Sequence, residues 1–158
     1  MRTKQAKTRQ VSPDPKYQSL AVAKLVNRSM RSGKKSVAQK QVYKALESVE
    51  AKTKKKALTA LEEAINNITP QMEVRSRRVG GASYQVPMPV RYRRGSSLAI
   101  RWLVLAANKR PSKQYHTYAE KLSAEIMDAL ENKGGAIEKK NTSHKMSESN
   151  KAFSHFRW

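Results

Sequence analysis

The chain has 158 residues, 33 of them Lys or Arg against 12 Asp or Glu, for a formal net charge of +21. That length is one ordinary domain with room for a modest helical core, and the 38% hydrophobic share lies below the usual near-half. Cysteine is absent, which excludes a disulfide scaffold, a Cys-type zinc site and a thiol nucleophile, while so large a positive charge asks for a polyanionic partner.

Residues 1–18 carry basic side chains, two prolines and no apolar period, and read as a basic tail that orders on binding. The opening MRTKQAKTRQ is not followed by an apolar run, so no secretory signal is expected. Ser19 is placed to cap a first helix carrying Val22, Val26 and Met30 every four residues, with Gly33 as its stop. A second helix shows Ala38, Val42, Ala45, Leu46 and Val49 on one face, and a third shows Leu58, Leu61, Ile65 and Ile68 before Pro70.

The segment Met72 to Val90 breaks the helical pattern. Two strand-like runs flank Gly80-Gly81, a pair suited to the positive φ angles of a tight hairpin. Pro87 and Pro89 are two apart, so both lack their N–H on the same outer edge and pairing can run through Val86, Met88 and Val90. A lone two-stranded ribbon is marginal in water, so this one, with its three arginines, is expected to protrude from the helices and grip something negative. The run LAIRWLVLAA (Leu98 to Ala107) is about half the length of a membrane span and contains Arg101; apolar almost all round, it predicts a central fourth helix. Tyr115, Tyr118, Leu122, Ile126 and Leu130 mark a fifth helix, ended by Gly134-Gly135, and a sixth is expected from Ile137 to about Phe153. The sum is a mainly α protein: one domain over 19–158 of about six helices, with a two-stranded β-ribbon at 72–90 between helices three and four.

The acids cluster. None falls between Glu73 and Glu120, where Arg75, Arg77, Arg78, Arg91, Arg93, Arg94, Arg101, Lys109, Arg110 and Lys113 all lie; Asp14 to Glu47 is a second acid-free stretch rich in Lys and Arg. A merely solvated surface intersperses the two signs, so the segregation points to a polyanion-binding face. Arginine offers phosphate planar bidentate donors, lysine a point charge, and Tyr84, Tyr92 and Trp102 among the arginines would allow base stacking. Catalytic and cofactor chemistry is not visible. Gly33-Lys34-Lys35-Ser36 lacks the earlier glycine of a phosphate-binding loop and has Lys35 where Ser or Thr belongs. His116, His144 and His155 have no metal-ligand spacing, and His116 with Glu120 reads as a surface pair. No metal, cofactor, small-molecule substrate or membrane contact is expected.

The segment VRSRRVGGASYQVPMPVR (Val74 to Arg91) followed by LAIRWLVLAANKR (Leu98 to Arg110) resembles the signature region of the small-subunit ribosomal protein seven family, of bacterial or plastid type. Asp14-Pro15-Lys16-Tyr17, Gly33-Lys34-Lys35-Ser36 and the ending MSESNKAFSHFRW agree with the same family in the same order. The resemblance implies six helices and a β-ribbon, binding to the 3′ major domain of small-subunit ribosomal RNA, and nucleation of assembly of the subunit's head. It also implies a ribbon near exit-site transfer RNA and messenger RNA, and contact with small-subunit proteins nine and eleven, in a cytoplasmic or plastid ribosome. Carried over residue by residue, the RNA-binding positions are Arg2, Lys4, Lys7 and Arg9 in the tail and Lys34 and Lys35 between helices one and two. Arg75, Arg77 and Arg78 follow on the ribbon, then Arg91, Arg93, Arg94 and Arg101, and Lys109, Arg110 and Lys113. The ribbon tip, Gly80, Gly81, Ala82, Ser83 and Tyr84, is expected near the exit-site ligands. Gln18 stands where the family often has glycine, so the loop there is expected to run differently, and Asn141 and Thr142 stand where relatives tend to carry charge. Two other readings share a basic surface: an RNA-modifying enzyme, which needs a cofactor loop or acid/base constellation, and a general architectural nucleic-acid-binding protein, which would not prefer structured RNA.

Overall fold

The structure, a computed structural model, describes residues 10–157; Arg2, Lys4, Lys7, Arg9 and Trp158 lie outside them. The predicted helices form where a buried stripe recurs every three or four residues. α1 (Leu20–Ser29) starts at Ser19, whose hydroxyl accepts from the Ala21 N–H, and buries Val22, Ala23, Leu25 and Val26. α2 (Lys35–Thr53) buries the five residues of its predicted face, and α3 (Ala57–Ile68) buries Leu61, Ala64, Ile65 and Ile68. β1 (Met72–Val79) and β2 (Ala82–Pro89) pair antiparallel, with Val79 opposite Ala82 and Met72 opposite Pro89. Gly80 and Gly81 have φ of +57° and +90°, a two-residue turn closed to most side chains. The ladder continues past both prolines, since the Val90 N–H donates to the Gln71 carbonyl at 2.9 Å.

α4 spans Tyr92–Lys109 and so begins earlier than the apolar run. It packs against α1, α3, α5 (Tyr118–Leu130) and α6 (Gly135–Ser149), whereas α5 packs against α2, α3, α4 and α6. The centre is therefore shared: α4 buries Ala99, Ile100, Leu103, Val104 and Ala107, but Arg93, Ser97, Arg101 and Leu105, spaced by four, form an exposed stripe. Gly95 lies where α4 meets the end of α3; a Cβ there would stand 2.9 Å from Thr69 Cγ2. Tyr115 falls outside α5, whose first turn is capped by Thr117 accepting from the Glu120 N–H, while Glu120 accepts from the His116 backbone N–H. The sixth helix ends at Ser149 and a separate 3-10 helix covers Lys151–Arg157.

Two regions are more integrated than their composition suggests. In the expected tail, Asp14 is buried, accepts from the Lys16 and Tyr17 N–H groups and receives the Tyr43 hydroxyl, which fastens residues 14–18 to α2. Gln18 there has φ of +46°, the left-handed backbone that glycine adopts without strain. The lower ribbon is also tied down. α6 receives the Gln71 N–H on His144 Nε2 at 3.1 Å and donates from Ser143 to the Met72 carbonyl. Val86 and Pro87 are buried, and the Tyr84 ring lies 5.3 Å from Phe153 and 5.2 Å from Phe156 of the 3-10 helix. Only the tip stands free of the helices as a fully exposed strip, Gly80 to Ser83.

Candidate nucleic-acid interface

Helix spacing decides which cations meet. On α1, Lys24 and Arg28 are four residues apart and point away from buried Val22 and Val26; on α4, Arg93, Ser97 and Arg101 do the same. The two rows face one another across a groove of about 320 Å³ lined by Lys24, Asn27, Arg28, Arg93, Ser97, Ile100, Arg101 and Val11, with no acid among them. Where the ends of α1 and α4 meet α2, a second hollow of about 260 Å³ is lined by Arg31 and Lys34 together with Val37, Ala38 and Gln41, and Arg31 donates to Asn108 at 3.3 Å. Four cations in one acid-free groove suit a phosphate backbone, whose condensed counterions are released to solution as protein cations take their place.

At the base of the ribbon, Arg75 and Arg94 share one carboxylate. Glu73 accepts from Arg75 Nε at 2.7 Å and from Arg94 Nε at 2.6 Å, and is itself only 7% exposed. Burial pushes its carboxyl up, but the hydrogen bonds from Arg94 and Arg75 outweigh that and hold it below the ordinary carboxylate range.

The remaining positions inferred from sequence divide sharply. Lys34, Lys35, Arg78, Arg91, Arg93, Arg101, Lys109 and Lys113 are exposed, and Arg77 is half-buried on β1. Lys109 belongs to a different hollow, with Trp102, Leu105 and Lys139 between α4 and α6. Arg110 turns inward. Its side chain is 15% exposed, pairs with Glu125 at 2.7 Å and with Asp128, and donates to the Tyr115 hydroxyl at 3.1 Å. Of the three aromatics, Trp102 packs on the core and Tyr84 on the 3-10 helix, whereas Tyr92, between Arg91 and Arg93, is 86% exposed. Lys24, Arg28 and Arg31, which the sequence places in the second acid-free stretch, and Glu73 are not among its RNA-binding positions. A four-residue spacing opposite the apolar stripe marks Lys24 and Arg28, and a lone acid in a basic stretch marks Glu73. Among the described residues no three His, Asp or Glu gather closely enough to hold a metal, and no helix is long and apolar enough to cross a membrane.

A small helical body with a cationic groove and three arginines on its ribbon has the features of a polyanion-binding protein. The chain belongs to the family described as Ribosomal protein S7p/S5e, whose model matches residues 1–151. It is 54% identical over 158 residues, all of both chains, to small ribosomal subunit protein uS7 of Thermosipho africanus. Over 150 residues it is 53% identical to the same protein of Dictyoglomus thermophilum, covering 95% of this chain and 94% of that one. The uS7 of Afipia carboxidovorans is 51% identical over 153 residues, 97% of this chain and 96% of the relative.

Proposed function

We propose that this chain is a structural, non-catalytic constituent of the small ribosomal subunit that binds the subunit's RNA directly. The observation that carries the reading is the acid-free groove in which Lys24, Arg28, Arg93 and Arg101 meet, in a chain whose family and relatives are ribosomal. In finer terms the RNA is the 3′ major domain, the role is nucleation of the head, and the neighbours are small-subunit proteins nine and eleven, in a cytoplasmic or plastid ribosome. Gly80 to Ser83, exposed at the tip, are the residues offered to exit-site transfer RNA and messenger RNA. Tyr84 is engaged by Phe153 and Phe156, so stacking on an unpaired base passes to Tyr92. Neither a small-molecule substrate nor a cofactor enters this reading.

The test is the affinity of the full chain for a 3′ major-domain fragment against a scrambled RNA of equal length, at fixed salt. A preference of at least about a thousandfold is expected, the lower end for specific recognition of nucleic acid. Equal affinities would remove the specific reading and leave a general polyanion binder.

A further inference from the structure

We propose that Glu73 is a positioning residue of the RNA-binding face, a carboxylate set beneath two arginines to hold their guanidinium groups ready for phosphate. The inference rests on the RNA-binding reading above. Glu73 is the one acid between Glu63 and Glu120, and it sits in the stretch where a negative charge does most to repel RNA. It is not a solvated side chain either, being 7% exposed. Its Oε1 accepts from Arg75 Nε at 2.7 Å and Arg94 Nε at 2.8 Å, and its Oε2 accepts from Arg94 Nε at 2.6 Å. One carboxylate thereby joins an arginine of β1 to an arginine of α4.

The geometry is that of a mount rather than a lock. The side chains of Arg75 and Arg94 stay 50% and 51% exposed, and a guanidinium that gives one edge to a carboxylate keeps most of its N–H donors. A free arginine loses rotamer freedom when it grips phosphate; one already fixed by a buried carboxylate has lost much of it beforehand. Two cations to one anion still leaves the pair positive. Arg110 makes the contrast clear, because its two carboxylates hold it at 15% exposure.

Positioning and plain electrostatics predict opposite signs, which makes Glu73→Gln the test. Removing an acid from a cationic face should tighten RNA binding if charge alone matters. If Glu73 aims the arginines, affinity for the 3′ major-domain fragment falls about tenfold, the loss of one ordinary charge-assisted bond. The log–log salt slope should also become shallower by about 1–2, as one or two phosphates are gripped less firmly. In an Arg75→Ala/Arg94→Ala background, Glu73→Gln should then do nothing further. Arg94→Lys, which keeps the charge and loses the fork, should weaken binding comparably and covers the case in which Glu73→Gln does not fold. Unchanged or tighter binding by Glu73→Gln, an equal loss in the double-alanine background, or wild-type binding by Arg94→Lys would each overturn the proposal. Failure of the wild-type chain to prefer the fragment would instead remove the RNA reading itself.

Discussion

Arg110→Ala should damage the fold and spare the RNA-binding face. Glu125 lies on the buried stripe of α5, 1% exposed, with one oxygen receiving the Ala136 N–H at 2.9 Å and the other receiving Arg110 at 2.8 Å. The pair thus ties the end of α4 and the start of α6 to α5. Removing Arg110 leaves the carboxylate buried without a cation, a change that costs about 3–5 kcal/mol where no group replaces the partner. The Ala136 N–H remains, which puts the expected loss near the lower end, and half-exposed Asp128 adds little because solvent screens it. For a domain of this size about 3 kcal/mol lowers the melting midpoint by roughly 6–12 °C. Thermal unfolding followed by circular dichroism measures it, and Arg110→Ala/Glu125→Gln should recover part of the loss, since a neutral amide tolerates burial better than an unpaired carboxylate. Below its melting point the single variant should bind RNA with the wild-type salt slope. A midpoint drop under about 2 °C, or a double variant no more stable than the single, would refute the account of a buried ion pair; a shallower salt slope would return Arg110 to the interface.

If about six to eight phosphates are engaged, log affinity against log salt should fall with a slope of roughly −5 to −7, and a slope shallower than about −2 would mean that few are. Gly95→Ala should destabilise by about 1–3 kcal/mol, because the new Cβ would stand 2.9 Å from Thr69 Cγ2 and overpacking outweighs the gain in helix propensity. Adding Thr69→Ser removes that methyl and should restore the midpoint; no restoration would place the strain elsewhere. Replacing residues 79–82 of the ribbon tip by a short linker should leave the cooperative melt intact, whereas replacing 74–88 should lower it. The longer deletion takes buried Val86 and Pro87 from the ribbon's base and Tyr84 from Phe153 and Phe156. Equal melts for the two deletions would show that the ribbon's base contributes nothing to the core.

What the sequence displays well is anything written as a period. The stripes of α1, α2, α3 and α5 recur because each helix buries one side, and the Gly80-Gly81 turn is legible because few other residues adopt two successive positive φ angles. The first turn of α4 escapes notice, since Tyr92 to Ser97 is polar and basic apart from Gly95, whose contact with Thr69 is a tertiary fact. So does the break after Ser149, where the aromatic spacing suits a continuing helix but Phe153 and Phe156 serve the ribbon through a 3-10 turn. The site divides in the same way. An acid-free run marks the candidate interface only as a segment, yet it treats Arg101 and Arg110 alike, and only helix packing sets Arg101 opposite Lys24 and Arg28. A signal for Arg110 does exist, but it lies on another helix. Glu125 falls among Leu122, Ile126 and Ala129 on the apolar stripe of α5, and a carboxylate there requires a buried cation from somewhere in the chain. Each acid on an apolar stripe therefore removes one arginine or lysine from those available to RNA, so the count of basic residues overstates the interface by that number, whereas the net charge already subtracts the pair.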